Sequence, residues 1–228
     1  MIPWLPPALT DLLIEAAWQT LLMTFGGAVV AIALGLPLAL LLHTTAPGGL
    51  APNGWVNRPI GLLVNAVRST PFIILMVAIV PFTRLVAGTS IGTTAALVPL
   101  SLAATAFIVR LFENALREVD RGVIEAARAM GATRTQIMTR VLVPEALPGI
   151  IAAITVTLVG LVGYSAMAGA IGGGGLGDLG IRFGYQRFMP EVMAAVVVIL
   201  IVLVQLVQSL GEWIAARVDR RAPRNRGA

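Results

Sequence analysis

Apolar residues fill five long stretches of the chain, and the polar positions gather between them. The stretches lie at 21–42, 62–82, 94–111, from after Pro148 to 171, and 192–210. Each approaches the roughly 20 apolar residues that a helix needs to cross a bilayer. Inside a membrane a backbone must satisfy its own hydrogen bonds, so the pattern predicts an all-α membrane protein with five transmembrane helices. Residues 9–19 precede the first span as an amphipathic lead-in. A Pro-, Gly- and Asn-rich loop follows at 43–59. Arg68-Ser69-Thr70-Pro71 interrupts the second span early, so its embedded part starts near Pro71. A charge in a span is expensive and often functional. Close to a helix end, however, an Arg can reach the headgroups, and Arg68 is read that way.

The longest polar break separates the third and fourth spans, and there the period changes. From Val119 the apolar residues recur as Val123, Ile124, Ala127 and Met130, along one face of a helix. Asp120, Arg121, Glu125 and Arg128 take the other face. Gly131 follows, where a left-handed helix stop suits a residue without a side chain. Thr133 and Gln136 form a T-x-x-Q capping box that starts a second helix in a new direction. That helix is expected to stop before Pro144, because proline pushes its predecessor out of helical geometry. A helix–Gly–helix elbow of this kind is a natural docking knob, although any loop between membrane helices can be amphipathic.

Composition agrees with the spans. The 228 residues are 57% hydrophobic and 12% charged, with a mean hydropathy of +0.90. Soluble domains carry about 25% charged residues. There is no Cys and one His, His43, which excludes thiolate chemistry and a Cys- or His-based metal site; His43 is read as a boundary residue. All 16 basic residues are Arg, without an aromatic-interleaved basic face, so nucleic acid is not an expected partner. Assigning loops alternately to two surfaces puts thirteen of them on the elbow's side. The positive-inside rule then places the N-terminus outside and the C-terminus and elbow in the cytosol. Asp11 and Glu15 near the start, with no basic residue, argue against a cleavable signal peptide.

The fourth span is built from small and hydroxylated residues: Thr155, Thr157, Gly160, Gly163, Ser165, Ala166, Ala168 and Gly169. Such residues allow close helix packing or line a polar path. Met167 stands among them as one large flexible side chain. It is read either as a soft plug in a path or as a filler between helices. After it, Gly172, Gly174 and Gly177 spell G-x-G-x-x-G, but a membrane helix precedes them where a dinucleotide site needs a strand. A flexible external turn is expected at 172–180.

Glu125-Ala126-Ala127 with Gly131, followed by Val141-Leu142-Val143-Pro144, resembles the EAA loop of permease subunits in ATP-binding-cassette importers, with Val where the pattern favours Ile and Leu. Four further stretches, and Pro144-Glu145-Ala146-Leu147-Pro148-Gly149, are similar to the permease subunit of bacterial methionine importers. They are Arg68 to Leu75, Pro81 to Arg84, Gly88 to Gly92 and Leu161 to Met167. The resemblance implies the type I ABC importer permease architecture. Residues 1–17 are then a periplasmic lead-in and 18–210 the transmembrane domain with a cytosolic coupling loop at 113–147. Residues 211–228 form a basic cytosolic tail.

It also implies a multi-pass inner-membrane homodimer, in contact with lipid, with two copies of a cytosolic ATPase and an extracytoplasmic, lipid-anchored methionine-binding protein. No cofactor is expected on this chain; ATP and Mg belong to the ATPase. The docking residues implied are Glu125, Ala126, Ala127, Arg128, Met130, Gly131 and Ala132. Tyr164, Ser165 and Met167 are the path or gate residues. A permease for another small amino acid or related solute is the alternative. A secondary transporter would carry inverted repeats and midplane ionisable groups, and an enzyme a nucleophile or acid–base pair; neither set is present.

Overall fold

The computed structural model describes residues 7–219, and its elements are helical throughout. In chain order they are α1 (Pro7–Thr45), α2 (Gly54–Ser69), α3 (Phe72–Ala78), α4 (Val80–Ala87), α5 (Thr93–Arg117), α6 (Arg121–Ala129) and α7 (Arg134–Ile137). After a wide π turn come α8 (Val143–Ala168), α9 (Gly175–Leu179) and α10 (Pro190–Val218). Among the described residues, α1, α5, α8 with its approach, and α10 are long and apolar enough to cross a bilayer. The fifth candidate span is bent, because α2 and α3 meet at 108° across Thr70 and Pro71. The bend falls at the expected interruption.

Three predicted boundaries move. The lead-in is no separate element: α1 is one helix of 39 residues, about 58 Å at 1.5 Å per residue, roughly twice the hydrocarbon thickness. The loop after it is shorter than expected, since Asn53 caps α2 by accepting from the Trp55 amide, and Pro59 lies inside that helix. At the other end α10 runs through position 211, where the basic tail was expected to begin. Gly211 is buried there, and a Cβ on it would lie 2.0 Å from the Thr155 hydroxyl oxygen. Residues 1–6 of the lead-in and 220–228 of the tail, with Arg220, Arg221, Arg224 and Arg226, lie outside the described residues.

The core is a seam between α1 and α5, closed by α8. On α1, Gly27, Ala31, Gly35 and Ala39 repeat every fourth residue, which lets two backbones approach closely. A Cβ at Gly35 would sit 2.5 Å from Ile108. Leu100, Ile108, Phe112, Met23 and Leu161 fill the seam and are almost wholly buried. The residues between α7 and α8 also depart from expectation. The helix does not stop before Pro144, and Val143 is α-helical at φ −66°, ψ −45°. A π turn at Met138–Leu142, closed by the Val143 amide on the Met138 carbonyl, shifts the hydrogen-bond register. Pro144, which has no N–H to donate, then falls at the second residue of α8, directly after the widened turn.

The seam sorts the loops into two ends. At one end the close of α1, the start of α2 and the elbow lie together. At the other, Gln19 and Thr20 of α1 meet α9.

Candidate functional site

At the elbow end, α6 and α7 are held by short-range hydrogen bonds at each turn. The Asp120 carboxylate accepts from the Gly122 amide at 2.6 Å and caps α6. Gly131 adopts φ +79°, its amide donates to the Arg128 carbonyl and the Ala132 amide to the Ala127 carbonyl. Those bonds form a Schellman stop. The predicted capping box is present: the Thr133 hydroxyl accepts from the Gln136 amide at 3.3 Å, and the Thr133 amide donates to the Gln136 side chain at 2.8 Å. The Asp120 cap escaped the sequence reading, which placed it only on the polar face.

The elbow's inner side packs on a cluster of Leu50, Ala127 and Ile137. Glu125, Ala126, Arg128, Met130 and Gly131 are exposed, and Ala132 is half-buried. Two corrections follow. Ala127 is turned inward, so it supports the presented surface and does not join it. Met130, 82% exposed, and Val123 lie outside the buried face that the periodicity gave them. A nine-residue helix is too short for one stripe to continue through its ends, and Met130 already belongs to the stop.

Behind the elbow, α5 runs six residues past its expected end and buries Glu113, which was assigned to the coupling loop. Its carboxylate accepts from Arg110 at 2.5 Å and from Arg117. Arg110 also donates to the Gly61 carbonyl at 3.0 Å and to the Asn65 side chain at 3.1 Å. One arginine thus ties the helix that leads into the elbow to α2, next to the bend. Sequence carried a signal for it, since Arg110, Glu113 and Arg117 are spaced i, i+3 and i+7 on one helical face.

Along α8, Ala152, Val156, Gly163 and Met167 face away from the rest of the chain, and a Cβ at Gly160 or Gly163 would touch nothing. Tyr164 is half-buried beside this face and stacks on Phe72, with ring centroids 4.8 Å apart at 11°. Met167 is 45% exposed, so its own chain leaves much of its side chain uncovered. The structure does not bring Ser165 to them. Ser165 is 1% exposed and donates to the Val162 carbonyl at 2.8 Å, on the interior side of the helix.

The glycine-rich segment is not a flexible external turn. Gly172, Gly174 and Gly175 have positive φ and fold the chain back. The Gly175 amide donates to the Gln19 side chain at 2.7 Å and the Leu176 amide to the Thr20 hydroxyl at 2.9 Å. Leu176 is fully buried, and a Cβ at Gly177 would be 2.3 Å from the Ala166 carbonyl oxygen. These glycines serve close packing, a role that a count of glycines does not distinguish from flexibility.

A bundle of apolar helices that presents a rigid polar elbow at one end, and an unfilled helical face along its length, defines a polytopic membrane permease coupled to a partner outside the bilayer. The chain belongs to the family of inner-membrane components of binding-protein-dependent transport systems, whose pattern it matches over residues 31–222. It is a multi-pass inner-membrane protein. It is 55% identical to a probable D-methionine transport system permease protein of Vibrio cholerae, over 93% of this chain and 94% of that one. To the D-methionine permease of Escherichia coli K12 it is 52% identical, over 69% and 73%. It superposes with a TM-score of 0.93, at 49% identity and over 95% and 100% of the chains, on an inward-facing crystal form of the MetNI methionine ABC transporter. An amino acid ABC transporter with histidines, at 22% identity and a TM-score of 0.76, shares the fold.

Proposed function

We propose that this chain is the permease of an ATP-driven methionine importer. Two copies form the path, and two copies of a cytosolic ABC ATPase, carrying ATP and Mg, dock on the two elbows. The chain itself breaks no bond. A lipid-anchored, extracytoplasmic methionine-binding protein delivers the substrate. The observation that carries the reading is the elbow. Its stop, cap and inner cluster make Glu125, Ala126, Arg128, Met130 and Gly131 one firm surface, which passes the ATPase movement to α5 and α8 without absorbing it. The arginine distribution supports a cytosolic elbow and an outside N-terminus. The names of the relatives support methionine over another small amino acid.

In this mechanism ATP draws the ATPases together, the elbows move with them, and the α8 faces separate on the outer side. Tyr164 and Met167 line that face. Hydrolysis reverses the motion. The test is co-purification with the neighbouring ATPase and uptake of labelled methionine into vesicles. Uptake that needs ATP, the ATPase and the binding protein is expected. Uptake without the ATPase would refute the reading.

A further inference from the structure

The 108° bend between α2 and α3 leaves a cavity of about 300 Å³ at its inner corner, and Arg68 borders it. The other walls include Phe72, Phe107, Tyr164 and Ala103. Arg68 was expected to reach the headgroups, and it also borders this space together with Tyr164 of α8. Arg110, Arg117 and Arg182 have carboxylate partners, whereas the Arg68 side chain, like those of Arg58, Arg121, Arg128, Arg134 and Arg140, has no hydrogen bond or ion pair among the described residues. The Tyr164 hydroxyl, on the same cavity, has none either. No acid lines the space. Arg68 is exposed, so its guanidinium is open to an anion entering the space. Its planar fork matches a carboxylate with two parallel hydrogen bonds.

We infer that this cavity is a transit subsite for the α-carboxylate of an amino acid, held by Arg68 with the substrate's apolar side chain against Phe107 and the Phe72–Tyr164 stack. The inference rests on the amino-acid importer reading above. Tyr164 and Met167 lie three residues apart on α8 and share a face, so the cavity opens beside the proposed gate. About 300 Å³ is the lower end of the range for small-ligand pockets, which suits one small solute.

The absence of Cys from the chain supplies the test. Ala103→Cys places one thiol in the cavity wall, and its rate of reaction with a small methanethiosulfonate is measured in the purified permease–ATPase complex. The binding protein is left out, so that its selectivity does not enter. L-methionine is expected to slow labelling severalfold, and methioninamide, which lacks the carboxylate, is not. Arg68→Gln should remove the protection and Arg68→Lys should weaken it. Ser69→Ala, exposed and outside the cavity walls, should keep it. Equal labelling with and without methionine, equal protection by the amide, or protection that survives Arg68→Gln overturns the inference. So does slowing by phosphatidylglycerol alone, which would make the anion a lipid phosphate. The amide comparison uses the native Arg68 and does not depend on how an Arg68 variant folds. ATP-driven methionine uptake by the unsubstituted complex separates the two readings. Uptake without protection removes the subsite alone, and no uptake removes the methionine reading and the subsite together.

Discussion

Gly177→Ala distinguishes a packed hairpin from a loose turn, because the two give opposite signs. In a flexible turn the substitution restricts the unfolded chain and stabilises by about 0.4–1 kcal/mol. In the structure Gly177 lies in α9 without a positive φ, so the backbone accepts alanine. The obstacle is steric. The new methyl would meet the Ala166 carbonyl oxygen at 2.3 Å, its Cα at 2.5 Å and its carbonyl carbon at 2.7 Å. Ordinary contact begins near 3.4 Å, so α8 and α9 must part by about an ångström.

Both are anchored: α9 by the Gln19 and Thr20 bonds and by buried Leu176, α8 by the core seam. Overpacking of this kind costs about 1–3 kcal/mol, occasionally more. At about 2–4 °C per kcal/mol for a chain of this length, the melting temperature of the purified complex should fall by about 2–12 °C. Gly54→Ala, with only the Arg58 side chain within 4 Å, is the matched control and should hold or rise. A Gly177→Ala complex that melts at or above the unsubstituted temperature, with full uptake, would refute the packed reading.

Glu113→Ala leaves Arg110, with its side chain 20% exposed, short of one partner, and should cost about 3 kcal/mol, the low end for a broken buried pair. Denaturation of the complex checks it, and a loss under 1 kcal/mol would show that Gly61 and Asn65 satisfy Arg110 unaided. Gly131→Val and Glu125→Arg should insert normally but lose ATPase co-purification, since a β-branched residue resists positive φ and the charge reversal falls on the exposed elbow. Retained co-purification and coupled uptake in both variants would sink the docking assignment. Met167→Ala should raise solute leakage or ATPase activity uncoupled from the binding protein with little loss of stability, because nearly half of Met167 is uncovered in its own chain. A tightly coupled Met167→Ala transporter would remove the gate.

The spans and the elbow's one stop and one cap were legible in the order of residues because the forces behind them are local. A backbone in lipid has no partner but its own helix, so long apolar runs can have only one form. Gly131, Thr133 and Gln136 bond within six residues of one another, and they folded as their types and spacing required. Distance along the chain marks where this legibility ended. Gly177 is tight because Ala166 lies behind it, and Leu176 is bonded because Thr20, 156 residues earlier, is aimed at it. Glu113 has its place because Arg110 reaches Gly61 on another helix. Ser165 and Met167 share a composition-based reading and point in opposite directions. Only the packing of α8 on α1 and α5 separates Ser165, which is buried, from Met167, which is exposed. Helix ends were decided in the same way. Proline removes a hydrogen bond locally, but a π turn anchored by buried Leu142 let the helix pass through Pro144. Residue type set what each segment could do alone, and the neighbours that tertiary structure supplied decided which of those options was used.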